Sequence, residues 1–108
     1  MNKYRNVKTQ IDGITFDSRK EAARYCELKI MERAGLIRNL QLQPKFEIQP
    51  SYIKSGKKVR AIIYIADFSY RQKNGKLIVE DVKGKRTKEY LLKKKLVEYR
   101  YDFEITEV

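Results

Sequence analysis

Residues 59–84 contain two largely apolar runs separated by Asn74-Gly75, and they predict two long strands joined by a glycine-containing turn. Each strand carries one acid at a position where an apolar run would otherwise continue. The first strand contains Asp67, and the second contains Asp81, which is followed two residues later by Lys83. This hairpin is therefore the first place to look for a functional site.

The segment before this hairpin predicts a short hairpin and then a helix. Residues 7–16 are broken by Asp12-Gly13, a dipeptide typical of tight β-turns. A helix then begins at Asp17-Ser18 and ends before Gly35. We expect its inner face to be formed by small and apolar side chains at helical spacing, namely Ala22, Ala23, Cys26, Ile30 and Ala34.

Residues 40–50 alternate between apolar and polar side chains, which predicts a half-buried strand. Because Pro44 and Pro50 lack backbone N–H donors, the pattern favours an edge strand or two short strands interrupted at Pro44.

The last third of the chain predicts a second helix and a final strand. The helix starts after Thr87 and runs to about residue 99, with an inner face of Leu92, Leu96 and Tyr99. Residues 101–108 read as a strand, and strand, helix and strand at this spacing form a crossover with a parallel strand pair. We therefore predict one α/β domain over residues 1–108, with a mixed β-sheet flanked by α-helices.

The register of the central hairpin decides whether its two acids can meet. With a two-residue turn at Asn74-Gly75, Asp67 would stand opposite Val82 and face away from Asp81. With a three-residue loop, residues 73–75, and Gly75 in a left-handed bulge, Asp67 faces Asp81 directly. We predict the three-residue loop or an equivalent bulge.

Two opposed carboxylates need a compensating cation, and oxygen ligands suit a hard divalent ion. Lys83 lies on the same strand face as Asp81 and could orient the attacking water or stabilise charge on a phosphate, while the Val82 carbonyl could supply a further ligand. Glu21 has two interpretations: a metal ligand, or the partner of Ser18 in a helix capping box. An isolated acid-x-Lys also arises by chance in a chain this charged, as Glu27-Leu28-Lys29 shows.

Composition narrows the partner and the chemistry. The chain has 25 Lys and Arg against 14 Asp and Glu, a formal net charge of +11, which favours nucleic acid as a partner. The absence of histidine excludes His-based chemistry, and the single cysteine excludes an internal disulfide and a multi-cysteine zinc site. No apolar run approaches ~18 residues, so we expect a cytoplasmic protein without a membrane partner.

Basic residues are concentrated just after the acid-x-Lys motif. Lys85, Arg86 and Lys88 lie at the mouth of the predicted site and at the start of a helix, where phosphate contacts are favoured. We predict that DNA also contacts Lys94 and Arg60. Arg60 belongs to a second basic patch whose position the sequence leaves open: Lys54, Lys57, Lys58 and Arg60.

These residues resemble the PD-(D/E)xK nuclease superfamily, whose motif is an acid on one strand, acid-x-Lys on the next, and a Glu on the first helix. Almost the whole chain is also similar to a small phage and prophage family of unassigned function, through FDSRKEAARY, LQLQPKFEIQP, YIADF and VEDVKGKRT. The layout further resembles phage Holliday-junction resolvases of the endonuclease I type. The proline of the motif name is Ala66 here.

The resemblance implies a restriction-endonuclease-like fold and a Mg²⁺-dependent DNA endonuclease, with Mn²⁺ as a substitute ion, in a superfamily whose members often act as homodimers. It assigns catalysis to Glu21, Asp67, Asp81 and Lys83, and it favours Glu21 as a ligand rather than as a cap. The alternative function is a basic DNA-binding phage protein on a nuclease fold that does not cleave.

Overall fold

A computed structural model describes residues 7–108, and within that range the chain forms two helices and ten short strands. The helices are α1 (Arg19–Arg33) and α2 (Lys88–Arg100). The strands are β1 (Thr9–Ile11), β2 (Ile14–Phe16), β3 (Ile37–Leu42), β4 (Lys45–Gln49), β5 (Tyr52–Lys54), β6 (Lys57–Val59), β7 (Ile62–Ile65), β8 (Phe68–Gln72), β9 (Leu77–Asp81) and β10 (Ile105–Glu107).

A mixed four-stranded sheet lies at the centre, in the order β10-β9-β8-β3. Strands β9 and β10 are parallel and are joined through α2, which confirms the predicted strand–helix–strand crossover. The pairs β8–β9 and β3–β8 are antiparallel. The remaining strands form two-stranded ribbons: β1–β2, β4–β7 and β5–β6. The chain is thus a mixed α/β protein with several sheets, in which strands predominate.

Two predicted strands are interrupted. The first strand of the central hairpin breaks at Asp67, so that β7 pairs with β4 while β8 pairs with β9. Residues 40–50 divide between β3 and β4 at Gln43, whose φ is +50°, and Pro44, which confirms the predicted alternative of two short strands interrupted at Pro44. The two breaks lie side by side, since Gln43 N–H donates to the Asp67 carbonyl over 2.9 Å. The chain therefore leaves the central sheet at one point and enters the β4–β7 ribbon.

Helix α1 begins as predicted, but it buries a different face. Its buried side chains are Glu21, Ala22, Tyr25 and Leu28, and Leu28 is completely covered. The predicted inner face is confirmed for Ala22 and for Cys26, which packs against the core. It is wrong for the other three residues, because Ile30 is 64% exposed and Ala23 and Ala34 also face solvent. The larger apolar side chains Tyr25 and Leu28 decide the packing, because they remove more apolar surface from water than alanines do.

Helix α2 shows the same type of correction. Thr87 caps it as predicted, with its hydroxyl accepting from Tyr90 N–H. The buried residues are Tyr90 and Val97, whereas the predicted inner residues are exposed: Leu92 by 57%, Leu96 by 36% and Tyr99 by 92%. The helix rests on the β4–β7 ribbon as well as beside the central sheet, and this support selects the Tyr90–Val97 stripe.

Two apolar clusters hold these elements together. One contains Tyr25 and Leu28 of α1 with Phe68 and Tyr70 of β8. The other contains Tyr90 and Val97 of α2 with Val79, Tyr64 and Ile105. Since neighbouring residues of a strand point to opposite faces, the central sheet separates the two clusters. Neither helix of the described chain is long and apolar enough to cross a bilayer.

Candidate functional site

The turn between β8 and β9 has the three-residue form predicted from the sequence. Gly75 has a φ of +88°, and its N–H donates to the Gln72 carbonyl over 2.9 Å. Gln72 N–H donates in turn to the Lys76 carbonyl over 3.0 Å. The resulting ladder pairs Arg71 with Leu77 and Phe68 with Glu80. This is the register predicted for the three-residue loop, and its next step would place Asp67 opposite Asp81.

The ladder ends in a local irregularity that aims Asp67. Asp67 N–H donates to the Glu80 carbonyl over 3.1 Å, although Glu80 is already the register partner of Phe68. The regular ladder therefore ends at Phe68 and Glu80, and Asp67 lies just beyond it. The Asp67 carboxylate reaches across the strand end, where its Oδ2 accepts a hydrogen bond of 2.7 Å from Val82 N–H.

A cleft of about 700 Å³ opens at this end of the sheet, between the start of α1 and the segment after β9. Its walls carry three acids and three lysines: Asp17, Glu21, Asp67, Lys20, Lys83 and Lys85. Val82 also lines it. The structure therefore brings four of the predicted site residues, Glu21, Asp67, Val82 and Lys83, to one cavity together with predicted DNA contact Lys85.

Asp81 lies behind this cleft with only 1% of its surface exposed. Its Oδ1 is 3.8 Å from Lys83 Nζ, and its buried Oδ2 has no hydrogen-bond partner among the described residues. Burial raises the pKa of Asp81 to about 6, and this shift is opposed by Lys83 and by the Asp67 backbone N–H. A buried carboxylate with one unpaired oxygen is costly, so it would gain from a cation or a proton.

Lys83 is held between Asp81 and the second helix. Its Nζ lies 3.9 Å from the centre of the Tyr90 ring, a cation–π contact that fixes the ammonium group next to Asp81. Its backbone carbonyl accepts a hydrogen bond of 3.2 Å from Lys20 Nζ, which comes from α1. Residues of both helices thus meet at Lys83.

Glu21 combines features of both of its interpretations. Its backbone N–H donates to Ser18 Oγ over 3.1 Å, so the cap is present. Within residues 7–108 the Glu21 carboxylate makes no return bond to Ser18 N–H, and it lines the cleft instead. Burial, followed by repulsion from Asp67 and Asp17, raises the pKa of Glu21 to about 7. The pKa of Asp67 is also raised, again mainly by burial.

The side chains of the cleft are of the type that binds a hard divalent cation, but they are too far apart to surround one as they stand. Carboxylate oxygens are the ligands that Mg²⁺ prefers, and the unpaired Asp81 Oδ2 is an available donor. However, no three acidic side chains in residues 7–108 are grouped closely enough to hold a metal ion together. An ion at this site would have to draw at least one of these carboxylates inward from the wall of the cleft.

The predicted DNA contacts fall into two groups. Lys88 and Arg60 are exposed. Arg86 instead donates to Glu107 Oε1 from Nε over 2.9 Å and from Nη2 over 2.6 Å, and Lys94 Nζ lies 4.0 Å from Glu107 Oε2. The sequence prediction that Arg86 and Lys94 face DNA thus overlooked the carboxylate on β10 that engages both.

A second buried acid, Glu80, which binds a side chain of α1, was not identified from the sequence. Glu80 is 1% exposed, and it accepts hydrogen bonds from Arg24 on α1 and from the Tyr70 hydroxyl. Burial and the Glu80 hydrogen bond raise the pKa of Tyr70 to about 12. The sequence signal was the consecutive pair Glu80-Asp81 at the end of an apolar strand, since one of the two acids had to face each cluster.

Fold and site together define a mixed α/β protein with a cleft of acids and lysines at one end of its central sheet. A family described as "Protein of unknown function (DUF1064)" matches residues 1–107, so the chain belongs to the DUF1064 family. Comparisons with curated proteins and with solved structures gave no significant match.

Proposed function

We propose that the chain is a metal-dependent DNA endonuclease with a restriction-endonuclease-like arrangement, related to the PD-(D/E)xK nucleases. The observation that carries this proposal is the convergence of Glu21, Asp67 and Lys83 on one cleft, with the unpaired Asp81 Oδ2 buried behind it. Burying several acids at one place raises their pKa values and costs stability, and a bound cation would offset that cost.

Each residue has a specific role in the proposal. Glu21, Asp67, Asp81 and the Val82 carbonyl would hold Mg²⁺, with Mn²⁺ as a substitute. When bound, the ion would lower the pKa of a water molecule and neutralise charge on the phosphate. Lys83, held by Asp81 and by the Tyr90 ring, would orient that water or stabilise the phosphate oxygens. Lys85 and the exposed Lys88 at the start of α2 would position the DNA backbone.

The substrate class in this proposal is branched or duplex DNA, and cleavage is structure-selective, as in Holliday-junction resolvases. Recognition rests on the backbone, because phosphate contacts by lysines position DNA without reading its sequence. One cleft per chain would cut one strand, so paired cuts would require a homodimer.

A second candidate is a basic DNA-binding protein that does not cleave. The observation that favours it is the wide spacing of the acids, since no three of them in the described chain already form a metal group. In that case, Glu21, Asp67 and Asp81 would only shape the end of the sheet.

The test is incubation of supercoiled plasmid and of a four-way junction with Mg²⁺, Mn²⁺ or EDTA. Wild-type protein should cleave with either metal and not in EDTA. Asp81→Asn should lower the cleavage rate by about 100-fold or more while retaining DNA binding, because it removes a ligand and not a phosphate contact. The exposed Asp102→Asn provides the matched control and should cleave normally.

Cleavage that persists in EDTA, or an Asp81→Asn variant as active as Asp102→Asn, would contradict the proposed site. Binding of both DNAs without cleavage in any metal would instead support the non-catalytic candidate.

A further inference from the structure

The β5–β6 hairpin is a separate projection from the body of the protein. Its strands Tyr52–Lys54 and Lys57–Val59 pair antiparallel, and Ser55 and Gly56 close the turn with φ values of +52° and +74°. Among the described elements, each of these strands packs substantially only against the other. The hairpin is inserted between β4 and β7, at the end of that ribbon opposite to Asp67.

The overall dimensions agree with a projecting arm. The radius of gyration is 16.0 Å, whereas a compact domain of this length would have about 13 Å. The molecule measures 52 × 44 × 24 Å and is therefore flat and extended. An isolated two-stranded hairpin is at best marginally stable in water, so contact with a partner would stabilise this one.

The charge on this arm is of one sign and forms no ion pair within the described residues 7–108. Lys54, Lys57, Lys58 and Arg60 are all exposed, and no acid occurs in residues 50–66. None of the four forms an ion pair with a residue in 7–108, in contrast to Arg86 and Lys94, which share Glu107. The arm thus presents four cations to an external anion.

The arm also exposes apolar surface beside these charges. Ile53 is 76% exposed and Tyr52 is 45% exposed. Ile53 is the register partner of Lys58, so an apolar side chain and a cation share one face of the ribbon. This combination suits a groove in which phosphates line the edges and base edges form the floor.

We propose that the β5–β6 hairpin is a DNA-binding arm that enters a groove of duplex DNA beside the cleft, with its lysines on the phosphates and Ile53 toward the floor. This inference rests on the proposed function in taking DNA as the partner. A two-stranded ribbon fits the major groove. Fully extended chain from Gly56 to Asp67 spans at most about 36 Å, close to the ~34 Å of one duplex turn. The arm therefore extends the contacted duplex by up to about one turn from the cleft.

The test measures binding of a fluorescent 30-base-pair duplex in EDTA, where metal-dependent cleavage does not occur, over a range of salt concentrations. The test variant is Lys54→Ala with Lys57→Ala and Lys58→Ala. The matched control removes the same charge from exposed lysines elsewhere, through Lys8→Ala, Lys73→Ala and Lys76→Ala. We expect the arm variant to bind at least about 10-fold more weakly at 100 mM salt. The slope of its log binding constant against log salt concentration should be smaller than that of the wild type by about 2 to 3. The control should keep the wild-type slope.

Two further variants separate contact from folding. Replacement of the same three lysines by arginine keeps the charge and should restore both affinity and slope. Ile53→Ser should weaken binding without changing the slope, because an apolar contact releases no counterions.

The arm proposal would be wrong if the arm variant and the control variant weakened binding equally, or if the wild type did not bind the duplex. Arm-dependent binding to vesicles of anionic lipid without binding to DNA would overturn it in favour of a membrane surface. The two proposals can fail separately. If the wild type does not cleave but its salt slope depends on the arm lysines, the endonuclease proposal fails and the DNA-binding arm stands. If the wild type cleaves but the arm and control variants have equal salt slopes, the arm proposal fails and the endonuclease proposal stands.

Discussion

Arg24 and Glu80 join helix α1 to strand β9 through two hydrogen bonds, 2.8 Å from Arg24 Nε to Oε1 and 2.6 Å from Nη2 to Oε2. Arg24 lies about one turn after Glu21, and Glu80 immediately precedes Asp81. This buried pair therefore sets the position of the helix that carries Glu21 relative to the strand that carries Asp81.

Arg24→Gln should lower the free energy of unfolding by about 3 kcal/mol, because it leaves the buried Glu80 carboxylate without its cation. Chemical denaturation measures this loss. Glu27→Gln is the control, since Glu27 is 64% exposed and lies 3.5 Å from the same guanidinium. Its loss should be below about 0.5 kcal/mol. Similar losses in the two variants would show that the Glu80 pair is not special.

The corrected face of helix α2 has a direct stability test. Val97→Ala removes methyl groups from a completely buried position and should cost about 2 kcal/mol. Tyr99→Ala acts on a side chain that is 92% exposed and should change stability by less than about 0.5 kcal/mol. If Tyr99→Ala proved the more destabilising of the two, the stripe expected from the sequence would be the buried one after all.

Metal binding can be measured apart from cleavage by thermal unfolding. Adding Mg²⁺ or Ca²⁺ at about 100 times its dissociation constant should stabilise the wild type by about 2.7 kcal/mol, because the ion binds only the folded state. Asp81→Asn should abolish most of this shift, while Asp102→Asn should retain it. A metal shift that survives in Asp81→Asn would place the ion elsewhere.

Glu107 predicts an acid-sensitive contribution to stability. Hydrogen bonds from Arg86 and Tyr90 lower the pKa of Glu107 to about 2 from a usual value of 4.5. Because the folded-state pKa is depressed, the contribution is fully present above about pH 4.5 and is lost as the pH falls toward 2. Glu107→Gln should remove this part of the pH dependence of the melting temperature.

The comparison for Glu107 is Glu104→Gln, which replaces another acid near the same strand. Its melting curve should follow that of the wild type between pH 4.5 and 2. A Glu107→Gln variant with an unchanged acid limb would mean that Arg86 and Tyr90 do not stabilise the ionised carboxylate in solution.

Local chemistry in the sequence was enough to determine where the helices begin and the register of the central hairpin. Ser18 and Thr87 cap the helices where hydroxyl side chains predict caps, and Gly75 takes the left-handed conformation that the three-residue loop needs. Such features depend on residues only a few positions apart, so neighbouring residues specify them. Alternation also placed Lys83 on the same face as Asp81, and Lys83 Nζ lies 3.8 Å from Asp81 Oδ1.

The tertiary structure decided which helical faces are buried and which charges are available. Both helices carry two stripes that satisfy helical spacing, and only the surfaces they meet select Tyr25 and Leu28, or Tyr90 and Val97. The break at Asp67 and the capture of Arg86 by Glu107 likewise depend on partners more than 10 residues away. Periodicity identifies candidate faces, whereas packing against distant elements chooses among them, because the choice rests on how much apolar surface each face removes from water.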